Sequence, residues 1–120
     1  MESPSELKPF DKDSSEYLGE LEAVALADVS GLKEAEKSYG NSWKKRGGAN
    51  SFFMLCRKFD RIERQVEKFH HDIFTAVLLD TRAEGIIDDI RDLRRYLMLV
   101  EAELLARGAL LGGHRDNLTW

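Results

Sequence analysis

Two acid pairs carry the first chemical suggestion in this chain. Asp60 and Glu63 stand three residues apart, as do Asp89 and Asp92, and each pair lies in a stretch with helical apolar spacing. At about 100° per residue, Asp60, Glu63 and Glu67 fall along one edge of the first apolar stripe. Asp89 and Asp92 fall along an edge of the second, with Tyr96 and Glu103 in the same row. If the two helices pack antiparallel, these edges can face each other. Four facing carboxylates can bind Mg²⁺ or Mn²⁺, hard ions that prefer oxygen ligands. Such an ion neutralises phosphate charge or generates hydroxide for phosphoanhydride hydrolysis. Acids at this spacing are also common on solvated helices, where they pair with interleaved bases. Here Arg57, Lys58, Arg61, Arg64, Arg91, Arg94 and Arg95 lie among them.

The second candidate is the stretch Ser38-Tyr39-Gly40-Asn41-Ser42-Trp43-Lys44-Lys45-Arg46-Gly47-Gly48, which holds two aromatics, three consecutive cations and three glycines. Lys44, Lys45 and Arg46 can contact phosphate oxygens, Arg in bidentate fashion, and glycine backbone can approach closely. The start of the following helix adds a favourable dipole for an anion. Tyr39 or Trp43 can stack on a base, a contact worth roughly 1–3 kcal/mol in nucleic-acid systems. Equally, the two aromatics can plug the end of a helical bundle while the cations solvate the loop. The stretch is not a P-loop, because GxxxxGK[ST] is absent, and it is not a dinucleotide fingerprint.

These candidates need helices to position them. Ser14 or Ser15 can cap a helix to about Ala27, carrying Tyr17, Leu18, Leu21, Val24 and Ala25. Asp28 or Ser30 can cap a short helix through Lys37, which Gly40 stops. A helix from Asn50 or Ser51 places Phe52, Leu55, Phe59, Ile62, Val66 and Phe69 in one heptad-like stripe. His70-His71-Asp72 changes direction, and the short apolar run Ile73–Leu79 fits helix or strand, with helix favoured because everything around it is helical. After the Asp80–Gly85 turn, Ile86, Ile90, Leu93, Leu97, Val100 and Leu104 mark the last helix. It ends at Arg107-Gly108, a basic last turn followed by glycine. The expected fold is an all-α helical bundle with two long amphipathic helices. Residues 1–12 form a flexible lead-in, 13–108 the helical nucleotide-binding domain, and 109–120 a C-terminal tail.

The chain has 120 residues, enough for one domain with a single core. Its net charge of −4 argues against general nucleic-acid binding, which favours a basic domain. One cysteine, Cys56, excludes an intrachain disulfide framework and fits a cytoplasmic protein. No apolar run reaches the roughly 18 residues of a membrane span. The polar, acidic start does not read as a secretory signal.

The spacing Asp60-x-x-Glu63, about 25 intervening residues, then Asp89-x-x-Asp92 resembles the paired-acid signature of the all-α MazG-like nucleoside-triphosphate pyrophosphatases. Tyr39-Gly40-Asn41-Ser42-Trp43 with Arg46, followed by a helix bearing Lys58 and Arg61, resembles the nucleotide-modification-associated helical families of bacteriophages. The similarity spans roughly residues 36 to 103. The pyrophosphatases present glutamates where this chain has Asp60 and Asp89. The resemblance therefore implies nucleotide handling more firmly than hydrolysis.

Three readings follow. The favoured one is a phage-type sponge against host defence. It captures a phosphorylated nucleotide, linear or cyclic, without turnover and without a cofactor. Tyr39, Trp43, Lys44, Lys45, Arg46, Lys58 and Arg61 would be its ligand-binding residues. The alternative is a Mg²⁺-dependent pyrophosphohydrolase in which Asp60, Glu63, Asp89 and Asp92 hold metal and are catalytic. The third is a structural or protein-binding bundle. His70 and His71 read as surface turn residues, Cys56 as a small filler, and His114-Arg115-Asp116 as solvent-exposed. Leu118 and Trp120 suit an arm for a neighbouring subunit. Consecutive apolar residues such as Phe52-Phe53-Met54 and Met98-Leu99-Val100 point in several directions. This excess predicts a homo-oligomer with the nucleotide site at or near its interface.

Overall fold

A computed structural model describes residues 14–108, with side chains from Tyr17 onward. The expectations for residues 1–12 and for the 109–120 tail, including His114, Leu118 and Trp120, fall outside that range. Four α-helices and no strand occur among the described residues: α1 Ser14–Tyr39, α2 Gly48–Glu67, α3 Ile73–Leu78 and α4 Ile86–Ala106. A 3-10 turn, Ser42–Lys44, bridges α1 and α2. No described helix is long and apolar enough to cross a membrane.

The first two expected helices are one. α1 runs 26 residues without a break at Asp28. Asp28 is not a cap but a mid-helix carboxylate, 1% exposed. It occupies the apolar side of α1, four residues from both Val24 and Leu32, so α1 cannot pack there unless the charge is met. Arg94 and Arg95 of α4 meet it. Arg94 Nε and Nη2 donate to the two Asp28 oxygens, the latter at 2.8 Å, and Arg95 Nε donates to Oδ1 at 2.9 Å. Arg95 Nη2 reaches the Ala27 carbonyl at 3.0 Å. Gly31 makes room for this: a Cβ there would lie 2.6 Å from Arg95 Nη1. α1 ends where Gly40 takes φ +55°, a conformation that a side chain disfavours.

α2 and α4 form the main packed pair. Ile62 and Val66 of α2 meet Ile86 of α4 and Ala76 of α3 in the buried core. Phe69, Ile73, Val77, Ile90 and Leu93 pack around them. α3 starts on a conventional cap: Asp72 Oδ1 accepts from Phe74 N at 3.1 Å and Thr75 N at 3.2 Å. Asp80 performs the same task for α4 from six residues away. Its Oδ2 accepts from Ile86 N at 2.6 Å, and Arg82 holds both carboxyl oxygens, Nε donating to Oδ1 and Nη2 to Oδ2 at 3.0 Å each. The hydrogen bond from Arg82, then that from Ile86, keeps Asp80 well below the ordinary carboxylate range. His70 and His71 make the α2–α3 turn at φ +55° and +64°, where non-glycine residues are uncommon.

The radius of gyration is 17.2 Å, against about 13 Å for a globular domain of roughly 100 residues. On α1, Leu18, Leu21 and Leu26 are exposed. Among the described residues, no ion pair other than those of Asp28 joins α1 to another helix.

The hydrogen bond from Arg94, supported by Arg95 and opposed by burial, lowers the Asp28 pKa from 3.8 to about 2. A folded-state pKa below the unfolded value adds stability that is complete above pH 3.8. That stability is lost as the pH falls toward 2. Asp28→Asn is expected to cost about 2 kcal/mol at neutral pH, the low side for a buried pair because both guanidiniums reach solvent. Urea unfolding of both proteins across this acid range checks it. The gap between them should close as Asp28 is protonated in the native state.

Candidate functional site

A cleft of about 660 Å³ lies between the C-terminal half of α1, the 3-10 turn, α2 and α4. α1 contributes Val29, Leu32, Lys33, Glu36 and Tyr39. Trp43 comes from the 3-10 turn, Met54 and Lys58 from α2, and Asp92, Arg95, Tyr96 and Leu99 from α4. Each arrives for a local reason. Trp43 is held because Ser51, buried in the first turn of α2, donates to the Trp43 carbonyl at 3.3 Å and the Gly47 carbonyl at 3.2 Å. Asp92 and Tyr96 stand four apart on α4 and so share a face. Arg95 enters over Gly31 while bound to Asp28.

Of the residues expected to hold a ligand, Tyr39, Trp43 and Lys58 line this cleft, whereas Lys44, Lys45, Arg46 and Arg61 do not. Lys44 Nζ instead donates to Glu103 Oε1 at 2.6 Å. That bond, with a second from Arg107, lowers the pKa of Glu103. Lys45 and Arg46 are exposed on the loop. Lys33, Arg95 and Tyr96 join the site without having been singled out as ligand contacts. Tyr96 was within reach of sequence reasoning, because it continues the Asp89–Asp92 row. Lys33 and Arg95 needed the α1–α4 docking, which no local pattern supplies.

The four acids do not converge. The α2 edge that meets Asp89 and Asp92 carries bases, not Asp60 and Glu63. Lys58 Nζ donates to Asp92 Oδ2 at 3.0 Å, and Arg61 Nε to Asp89 Oδ1 at 2.9 Å. Asp60 and Glu63 are exposed. Among the described residues, no group of three or more His, Cys, Asp or Glu side chains is placed to hold a metal ion. The donor set therefore does not fit the expected Mg²⁺ site. The physical reason is register: α2 turns Lys58 and Arg61 toward α4, and each carboxylate there already has a cation.

The cleft combines two chemistries. Tyr39, Trp43 and Tyr96 offer aromatic surface, with Leu32, Met54 and Leu99 as apolar lining. Lys33, Lys58 and Arg95 against Glu36 and Asp92 leave one net positive charge. The Lys58–Asp92 pair can open toward a ligand, since Lys58 offers three donors and Asp92 is partly solvated. No family model, curated protein or solved structure matches this chain.

Asp89 is 2% exposed, and its Oδ2 has no hydrogen-bond partner among the described residues. Arg61 gives it its direct ion pair, and Arg82 adds a longer-range attraction. Arg61→Ala is expected to destabilise the fold by about 2 kcal/mol, because a buried carboxylate loses its direct ion pair and keeps only the more distant Arg82. Adding Asp89→Asn should recover part of that loss. Chemical denaturation of the two variants decides whether Arg61 serves the fold or is free to serve a ligand.

Proposed function

We propose that this chain captures a phosphorylated nucleotide in the α1–α2–α4 cleft and releases it unchanged. One observation carries the reading. Three aromatic side chains, Tyr39, Trp43 and Tyr96, and three cations, Lys33, Lys58 and Arg95, surround one cavity. Its volume of about 660 Å³ lies in the range of small-molecule sites. The base would stack on the aromatic wall, and the phosphates would lie toward the cations. Asp92 or Glu36 could accept from a base amino group, which favours a nucleotide over inorganic phosphate.

Capture is favoured over hydrolysis because Asp89 and Asp92 are already neutralised by Arg61 and Lys58. Binding then needs no metal. The resemblance to phage nucleotide-modification-associated families supports a phage-type protein that acts as a sponge for a host defence nucleotide in the host cytoplasm. The net charge of −4 argues against general nucleic-acid binding. The extent of exposed apolar surface supports a homo-oligomer rather than a lone chain.

The test is a thermal-shift panel of linear and cyclic nucleotides, with and without Mg²⁺, followed by chromatography of each nucleotide. The reading expects at least one nucleotide to stabilise the protein without Mg²⁺ and to be recovered intact. It also expects Tyr96→Ala to weaken that binding by roughly 1–3 kcal/mol, the loss of one stacking contact. Metal-dependent conversion to a monophosphate would replace capture with hydrolysis. No shift with any nucleotide would favour a structural or protein-binding bundle.

A further inference from the structure

Sixteen large hydrophobic side chains are exposed among the described residues, while four hydrophobic residues are buried. Part of this surface has a definite place. The heptad-like stripe of α2 runs through Phe52 and Phe59, and that of α4 through Leu97 and Leu104. These four are 58%, 53%, 50% and 42% exposed. The ion pairs Lys58–Asp92 and Arg61–Asp89 make α2 and α4 antiparallel and set Phe52 level with the Leu97–Val100 turn. Phe53 extends the same end, its ring centroid 5.9 Å from that of Phe52. One flank of the α2–α4 pair therefore presents stripe residues that no described element covers.

We propose that a second copy of this chain covers this flank, so that two α2–α4 pairs meet about a two-fold axis. The area argues for it. A standard interface takes about 800 Å² from each partner and is a little over half apolar, so it needs roughly 450 Å² of apolar surface per side. Phe52 and Phe59, each more than half exposed, leave about 200 Å² of ring surface in water, and Phe53, about 100° round the helix but in ring contact with Phe52, adds to it at the edge of the flank. Leu97 and Leu104 bring the total close to the requirement. A two-fold pairing gives each copy the same apolar face as its partner, and that is the commonest symmetry of soluble oligomers. The antiparallel pair thus becomes half of a four-helix arrangement with the heptad spacing such packing uses. This assigns a surface to the homo-oligomer proposed above. It does not depend on any ligand, because the cleft uses Met54, Lys58, Tyr96 and Leu99 on the opposite side of the same helices.

Light scattering coupled to size-exclusion chromatography tests it with the full chain and no nucleotide. The expected mass is twice 13.7 kDa. Phe59→Glu and Leu97→Glu, made separately, should each run at the single-chain mass with unchanged helical circular dichroism. Leu21→Glu, on the exposed part of α1, should leave the mass doubled. A wild-type protein of single-chain mass at high concentration would overturn the proposal. So would an oligomer that survives both flank substitutions but dissociates with Leu21→Glu. If Phe59→Glu loses helicity, Leu97→Gln gives the same reading with a milder change.

Discussion

A single carboxylate sets how this molecule is put together. Asp28 lies in the apolar side of a long helix, where an uncompensated charge would be costly. α1 can approach α4 only where Arg94 and Arg95 surround that carboxylate, and Gly31 leaves space for Arg95 to do so. The same contact fixes one wall of the cleft. Beyond it toward the C-terminus, Leu32, Glu36 and Tyr39 look across at α2 and α4. Toward the N-terminus, Leu18 and Leu21 are exposed. A hydrophobic contact would tolerate sliding, whereas three guanidinium hydrogen bonds to one carboxylate fix a register.

A second set of ion pairs governs the chemistry. Lys58 and Arg61 face Asp92 and Asp89 across the α2–α4 seam, so bases occupy the positions that metal-binding acids would need. The pairing changes what the site can do with a phosphorylated ligand. Cations at a cleft wall can hold phosphate, and the aromatic residues beside them can hold a base. Among the described residues, no cluster of carboxylates is placed to organise a metal and its water. Binding without turnover is what we propose for this arrangement.

Much of the fold was legible in the sequence. The stripes through Ile62 and Val66, and through Ile86 and Ile90, mark α2 and α4. Gly40, the His70-His71-Asp72 turn and Gly108 mark breaks that the backbone honours. Two things were not legible. Asp28 looked like a helix cap because acids often are. The signal against a cap was its place in an apolar stripe, four residues from Val24 and Leu32. Its partners lie 66 and 67 residues away, beyond any local pattern. The acid pairs failed differently. A helical wheel shows which residues share an edge but not which edge faces the neighbour. Asp60 and Glu63 share an edge, and it was the other edge, with Lys58 and Arg61, that met α4. Tyr39, Trp43 and Lys58 reached the cleft, while Lys44 turned to Glu103 and Lys45 and Arg46 stayed exposed on the loop.

Ligand titration followed by Trp43 fluorescence tests the account most directly, with Trp120→Phe removing the other tryptophan. The probe is whichever nucleotide stabilises the wild-type chain. The account predicts a saturable change in Trp43 emission, and predicts that Asp28→Asn loses it while keeping its helical circular dichroism. An unchanged titration in Asp28→Asn would mean that α1 is not a wall of the binding site. Nucleotide binding that leaves Trp43 silent would place the ligand outside this cleft.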